Sequence, residues 1–378
     1  MNTTPDISIV IPTYNVSNYI DRCLESLVKQ TKTNIEIICV DDCSSDNTIS
    51  RIEGWQQKYP NIFLLRHSSN LSASQSRKDG VKRSSGKYIM FVDADDYVER
   101  SICEIAFNTI EEKKTDLVHF GTFVENCGCR PERDAIALEK SLTAFSGLLN
   151  GDIFLSCFLE RKFTFTLWNK IYCSELIRKA FSYVEDGRFP KAEDLYVAFF
   201  IMYFAGSYYG IPDKLYHYCF GNERDGHSIL SCDDFRFNCQ SWHVFRKIIT
   251  FGNPMQKESF PEVLHSIHNG LVGEQLGNLF NHIQLMDQPA CLQIFKSVSD
   301  KTWFDLIKCM AETRWNDKLE VASLLKTVDE LNYIPREIKT IAFYYRRLRN
   351  GGTERVIAEL SSRLAQLEDG EKYTAWKE

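Results

Sequence analysis

The sequence has no apolar run approaching the ~18–20 residues that a membrane-spanning helix requires. The longest candidate, Tyr196 to Ile211, is broken by Gly206 and Ser207. An excess of basic charge is also missing: 45 Lys and Arg stand against 51 Asp and Glu, for a formal net charge of -6. That balance removes the global electrostatic footprint of nucleic-acid binding, and no nucleic-acid partner is expected. Met1-Asn2-Thr3-Thr4-Pro5-Asp6 shows no basic stretch ahead of the first strand-like segment, so no secretory leader is read. The 13 Cys are scattered, and Cys127-Gly128-Cys129 is the one tight pair. A zinc site would need a second pair at suitable spacing. The thiols are therefore expected to be reduced and the chain cytoplasmic.

What is present is ordinary globular material. The 378 residues suggest two domains at ~100–200 residues each, with room for a small third element. Hydrophobic residues make up 44% and charged residues 25%, which excludes collagen-like, coiled-coil and disordered chains. Aromatics reach 13%, ample for large cores.

The first hundred residues alternate strand and helix signals. Ile7 to Ile11 is a short β-branched run ended by Pro12. Asn18 to Gln30 carries Ile20, Leu24, Leu27 and Val28 at helical spacing. A second strand, Ile35 to Val40, stops at Asp41-Asp42, and a helix with Ile49, Ile52 and Trp55 follows. Asn61 to Leu65 is a third strand, Ser72 to Arg83 a third helix, and Tyr88 to Val92 a fourth strand. The strands are nearly continuous apolar runs, as when helices cover both faces of a parallel sheet. The order argues for an α/β fold with an open sheet, in which ligands bind beyond the carboxyl ends of the strands. Tyr14 and Asn15, Asp41 and Asp42, and Asp93 to Asp96 all follow strand ends, so three polar clusters converge on one edge. Residues 101–212 mix helices and strands, and residues 233–326 read as mainly helical.

The strongest chemical signal is Phe91-Val92-Asp93-Ala94-Asp95-Asp96. Three carboxylates within four residues repel one another, and a hard divalent cation relieves that repulsion. Standing alone, a D-x-D reads more readily as a solvated turn; its place after the fourth strand favours the cation.

In this context residues 7–100 resemble a family 2 glycosyltransferase of the GT-A fold. The resemblance rests on Val10-Ile11-Pro12-Thr13-Tyr14-Asn15, Val40-Asp41-Asp42-Cys43-Ser44-Ser45-Asp46-Asn47-Thr48 and Gly86 to Asp96, in the family's order and spacing. It continues more loosely through Trp168-Asn169-Lys170 and Ala192-Glu193-Asp194-Leu195 to about Ser228. The resemblance implies a nucleotide-sugar donor, Mn²⁺ or Mg²⁺ as cofactor, and a glycan or lipid-linked acceptor of bacterial surface-polysaccharide assembly. It assigns Pro12, Tyr14, Asn15, Asp41, Asp42, Arg77 and Asp93 to the nucleotide, with Tyr14 packing on the base. A carboxylate at Asp42 suits the N3–H of uracil, which favours UDP. Asp95 would contact the metal, Asp93 the ribose or metal, and Asp96 the metal or the next helix as its cap. Asp194 would be the general base of an inverting transfer, with Glu193 beside it; the same pair also reads as first-turn acids of a helix. Trp168, Lys170 and His217 are assigned to acceptor or phosphate, and His227 is an alternative to His217. Within Asn70 to Gly80, Ser72, Ser76 and Lys78 depart from the family's Gly, Ala and Asn, whereas Arg77 is retained and would face the diphosphate.

A fresh strand-loop-helix signal spans Ile338 to Leu367. Its Arg349-Asn350-Gly351-Gly352-Thr353-Glu354-Arg355 loop resembles the first loop of GT-B glycosyltransferases such as family 4. This implies the start of a second transferase domain in a longer chain, and Arg346, Arg347 and Arg349 would also suit peripheral contact with the inner face of an anionic membrane. The expected organisation is thus a transferase domain over 1–230, a helical domain over 231–335 and a β-loop-α unit over 336–378. Two rival classes remain at this stage. A nucleotidyltransferase should carry a Gly-rich basic loop where this chain has Pro12-Thr13-Tyr14-Asn15, and a non-catalytic sugar-nucleotide scaffold would not need Asp194.

Overall fold

A computed structural model describes residues 4–127, 131–189, 191–221, 231–283 and 287–299. His227 and the whole 336–378 unit lie outside the described residues.

The elements follow the alternation read from the sequence through the fourth strand. They run β1 (Ile7–Thr13), α1 (Ile20–Val28), β2 (Ile35–Asp41), α2 (Thr48–Gln56), β3 (Ile62–Arg66), α3 (Ala73–Arg83) and β4 (Tyr88–Phe91). The chain continues with β5 (Tyr97–Val98), α4 (Ile102–Lys113), β6 (Leu117–Asn126), α5 (Glu132–Ser141), β7 (Gly147–Asn150) and α6 (Ile153–Phe158). Then come β8 (Lys170–Cys173), α7 (Ser174–Tyr183), α8 (Glu193–Phe204) and β9 (Ser207–Phe220). The last described elements are all helices, as the sequence pattern suggested: α9 (Cys232–Asn238), α10 (Ser241–Phe251), α11 (Phe260–His282) and α12 (Gln288–Ser299). None of the described helices is long and apolar enough to cross a membrane.

The strands form one mixed sheet in the order β3-β2-β1-β4-β8-β6-β9-β5, with β7 on β9. The pairs β1–β2, β1–β4 and β2–β3 are parallel. β2 and β4 are buried along their whole length and β1 at every position but Pro12, which explains their unbroken apolar runs. α1 turns Ile20, Cys23, Leu24 and Leu27 inward, one stripe of a 3.6-residue period. The chain leaves β1 toward β2 on one side and finds β4 on the other. A crevice therefore opens at the carboxyl end of β1, where such a sheet binds its ligand. Thr13 pairs with Asp41 in register, and β4 stops at Phe91 beside Val10, so all three strand ends reach that crevice.

α3 lies close against β1. A Cβ added at Gly80 would come within 2.3 Å of Val10 Cγ1, so a side chain there would push the helix off the strand. This contact sets the position of everything α3 presents to the crevice.

Contacts divide the chain into two units. The first holds Met1–His227 and His243–Ile267; the second holds Ser228–Trp242 and His268–Glu378. In the first unit, the Tyr203 hydroxyl donates to Asn253 Oδ1, and the Phe251 ring meets Phe199, Phe200 and Tyr203 edge-on. In the second, Trp242 packs against His268 and Phe295, and the Cys232 and Cys291 sulfurs are 3.2 Å apart.

Candidate active site

The crevice is a cleft of about 400 Å³. One part of its wall comes from Pro12, Thr13 and Tyr14 after β1, Asp42 after β2, and Ala73 and Ser76 on α3. The other part comes from Arg77, Asp93, Asp95, Glu193, Asp194 and Tyr218. Tyr14 is 41% exposed, an aromatic face left on the rim.

The two aspartates that end β2 have different roles. Asp41 is fully buried, and its carboxylate accepts from the Ser44 hydroxyl and backbone N–H, fastening the following turn. It does not line the cleft. Asp42 does, and its Oδ1 accepts from His67 Nδ1 and Leu71 N, each at 2.8 Å. Its Oδ2 accepts from Ser72 N, also at 2.8 Å. Asp42 therefore shapes the loop that leads into α3. Asn15 likewise ties loops together, its side-chain oxygen accepting from Ser45 N at 2.8 Å.

Arg77 organises the other half. Its side chain is only 4% exposed, and its guanidinium donates to Asp194 Oδ1 at 2.7 Å and to Asp93 Oδ1 at 2.9 Å. Asp194 is 39% exposed in the first turn of α8, where the helix N-terminus favours a negative charge. Burial, with the charges of Asp194 and Asp95, pushes the Asp93 carboxyl above its ordinary value against the opposing pull of Arg77. Burial and then Asp194 also raise Glu193.

Asp96 turns away from the cleft. Its carboxylate accepts from the Tyr216 hydroxyl and from Cys219 N, both at 2.8 Å. The Tyr216 oxygen accepts in turn from Asp93 N at 3.1 Å, so β9 pins the carboxylate loop from below. The Arg22 guanidinium holds the same loop through Asp95 O at 2.8 Å and lies over the Tyr97 ring.

Besides Asp41 and Asn15, three further residues singled out in the sequence are not brought to the cleft. Trp168 is buried and stacks on Tyr216 and, nearly parallel at 5.2 Å, on Tyr218. Lys170 is fully buried, its ammonium bonded to Thr166 O, Thr166 Oγ1 and Asn169 Oδ1. His217 is sandwiched between the Tyr97 and Phe123 rings and bonded to Glu99 and Glu125. Tyr216 and Tyr218, the neighbours of His217, are what reach the site. The two-residue period of a strand puts them on the opposite face from His217, and that alternation was the available signal.

Four non-glycine residues beside these segments have left-handed backbones: Asn15 (φ 50°), Cys43 (φ 66°), Ser72 (φ 85°) and Ala192 (φ 61°). Each stands at a junction where the chain turns a cleft group into place, and strain of this kind concentrates at functional sites.

Among the described residues no three His, Cys, Asp or Glu side chains are grouped to enclose a metal ion. The donor set still fits one of the less enclosed kind. Of the described residues, five carboxylates line the cleft, those of Asp42, Asp93, Asp95, Glu193 and Asp194, with one cation, Arg77. Mg²⁺ commonly takes one or two carboxylates and completes its shell with phosphate oxygens and water.

Comparison with known proteins shows likeness in sequence and in fold. Residues 8–176 match the family model described as Glycosyl transferase family 2. The chain is 31% identical over 218 residues to a putative glycosyltransferase, EpsH, of Bacillus subtilis, covering 57% of this chain and 61% of that one. It is 40% identical over 114 residues to a poly(ribitol-phosphate) beta-glucosyltransferase of Bacillus spizizenii, covering 29% of this chain and 18% of that protein. The aligned stretches thus span less than two thirds of these relatives. Among solved structures, residues 1–349 of S. aureus TarS in complex with UDP-GlcNAc superpose with a TM-score of 0.55 at 18% identity, over 78% of this chain and 90% of that one. That likeness is one of fold.

Proposed function

Residues 8–176 match the model of Glycosyl transferase family 2, and from that premise we propose that the chain moves a sugar from a nucleotide-diphosphate donor to a hydroxyl of a glycan or lipid-linked glycan. The donor is a UDP-sugar and the transfer inverts the anomeric carbon. The observation that carries the reading is the Arg77 fork. It places a carboxylate of the β4 loop and a carboxylate of the α8 N-terminus on one guanidinium, in one cleft. UDP-GlcNAc in the TarS structure and beta-glucosyl transfer in the name of the B. spizizenii relative support the choice of donor class.

Tyr14 offers its exposed ring to the base. Asp42 Oδ2 accepts from Ser72 alone among the described residues, and so keeps a lone pair for the N3–H of uracil. The diphosphate lies toward Asp93 and Asp95. Among the described residues five carboxylates face one guanidinium in the cleft and would repel a diphosphate, so donor binding would call for a divalent cation, which Asp95 and Asp93 would hold. Such a cation supplies charge neutralisation for the leaving diphosphate. Asp194 takes the proton of the acceptor hydroxyl as that oxygen bonds to the anomeric carbon; the bond from that carbon to the diphosphate breaks, and UDP leaves with the electron pair. On a lipid-linked acceptor the enzyme would work as a peripheral protein at the cytoplasmic face of the membrane.

Calorimetric titration of UDP, GDP and CDP with Mn²⁺ and then with EDTA tests this reading. UDP should bind in the presence of metal, lose its binding in EDTA, and bind at least about tenfold more weakly to Asp95→Ala. Well-folded protein that binds none of the three nucleotides would sink the donor-site assignment.

A further inference from the structure

Within that reading, we infer that Arg77 is a positioning residue: it aligns the base Asp194 and couples it to the donor-side Asp93, instead of binding the nucleotide's phosphates. The fork geometry carries this. Each terminal nitrogen gives an N–H to a different carboxylate, Nη1 to Asp194 and Nη2 to Asp93, at 2.7 and 2.9 Å. The planar guanidinium presents its donors in a fixed fork, so these two bonds set the direction of both carboxylates. Among the described residues the third nitrogen, Nε, is buried without a partner, and the side chain is only 4% exposed, so little of the guanidinium in the cleft wall is open to a ligand.

The rest of the frame is equally fixed. Arg77 rises from α3, which Gly80 lets settle onto Val10 of β1. Asp93 is anchored through its backbone to Tyr216, and Asp194 by its place in the first turn of α8. With the side chain only 4% exposed, the N–H groups left on the two terminal nitrogens have little open path to a phosphate, whereas the two carboxylate bonds are already made. Holding Asp194 by Oδ1 leaves Oδ2 to receive the acceptor's proton. It also means that a shift of Asp93 on donor binding is transmitted to the base through one rigid group.

A double-mutant cycle tests the inference, using hydrolysis of the UDP-sugar that the wild type turns over fastest in a panel, with water as acceptor. Arg77→Ala and Asp194→Asn should each lower kcat by about 100-fold or more, the range of a lost general base. The double variant should fall no more than about threefold below the worse single one, because the two groups act as a unit. UDP affinity should stay within about threefold of wild type in Asp194→Asn, and in Arg77→Ala kcat should fall at least about tenfold more than UDP affinity does. Guanidinium chloride at sub-denaturing concentration should restore part of the Arg77→Ala activity, and only while Asp194 is present. Arg77→Lys, which keeps charge without the fork, guards against a folding artefact and replaces Arg77→Ala if that variant does not melt cooperatively. UDP affinity falling in step with activity, effects that multiply in the double variant, or no rescue would overturn the inference. A wild type that turns over no sugar nucleotide and binds no UDP would instead overturn the glycosyltransferase reading and this inference with it.

Discussion

Ser72 has φ 85° and ψ 162°, a region of the backbone that essentially only glycine occupies without strain. Its N–H is nevertheless needed by Asp42, and among the described residues its hydroxyl makes only long contacts, with Ser74 Oγ and Phe189 N. Ser72→Gly is expected to stabilise the protein by about 1 kcal/mol, read as a higher urea midpoint at unchanged slope. At Asp194 the chemistry dominates. Asp194→Asn should cut transfer by about 10²–10⁴-fold while UDP binding survives, measured by turnover and calorimetry on the same preparation. Lys170 makes a different kind of statement. Burial pushes its amine down to about 7, although three oxygens surround it. A base whose folded value lies below its unfolded value binds fewer protons folded than unfolded. The penalty is complete below about pH 7 and disappears as pH rises toward the ordinary lysine value. The stability of wild type relative to Lys170→Met should therefore increase between about pH 7 and 10, seen by denaturant titration across that interval.

At the scale of elements, the site depends on how closely α3 approaches β1. Gly80→Ala would gain helix propensity but drive a methyl into fully buried Val10. Overpacking of that kind costs about 1–3 kcal/mol and exceeds the gain of about 1 kcal/mol in propensity. The expected result is a lower melting temperature together with reduced turnover, because the same helix carries Arg77. β9 supports the site from the other side. Tyr216→Phe leaves buried Asp96 without one donor and Asp93 N without an acceptor, a loss of about 1–3 kcal/mol in stability. Its cost should appear in thermal melts, and in weaker metal-dependent UDP binding as the Asp93–Asp95 loop loosens.

At the scale of the whole molecule, the contact units do not follow chain order. His243–Ile267 belongs with the unit that contains the cleft. Phe251 and Phe260 pack on the aromatic rings of α6 and α8, and Lys247 pairs with Glu185 ahead of α8. A chain ended at residue 230 should thus melt at a lower temperature than one ended at 267, with lower soluble yield. Equal melting temperatures for the two truncations would contradict the assignment of 243–267 to the first unit.

The sequence by itself determined the α/β alternation, the parallel half of the sheet, and the three polar clusters at one edge. Each is written locally, in apolar runs that a doubly covered strand requires and in polar residues that must follow where a strand ends. It also carried Tyr14, Asp42, Arg77, Asp93, Asp95 and Asp194 to the cleft that the structure contains. Only the tertiary structure decided what these side chains face. Arg77 meets Asp194 across 117 positions, Tyr216 meets Asp96 across 120, and Trp168 stacks beneath Tyr218. Motif spacing cannot state such pairings, because they follow from the packing of α3, α8 and β9 around β4. Lys170 and His217 show the converse. A charged group near a motif looks functional in one dimension, but strand alternation and core burial turn it away from the cleft, where hydrogen bonds to oxygens or stacked rings satisfy it instead.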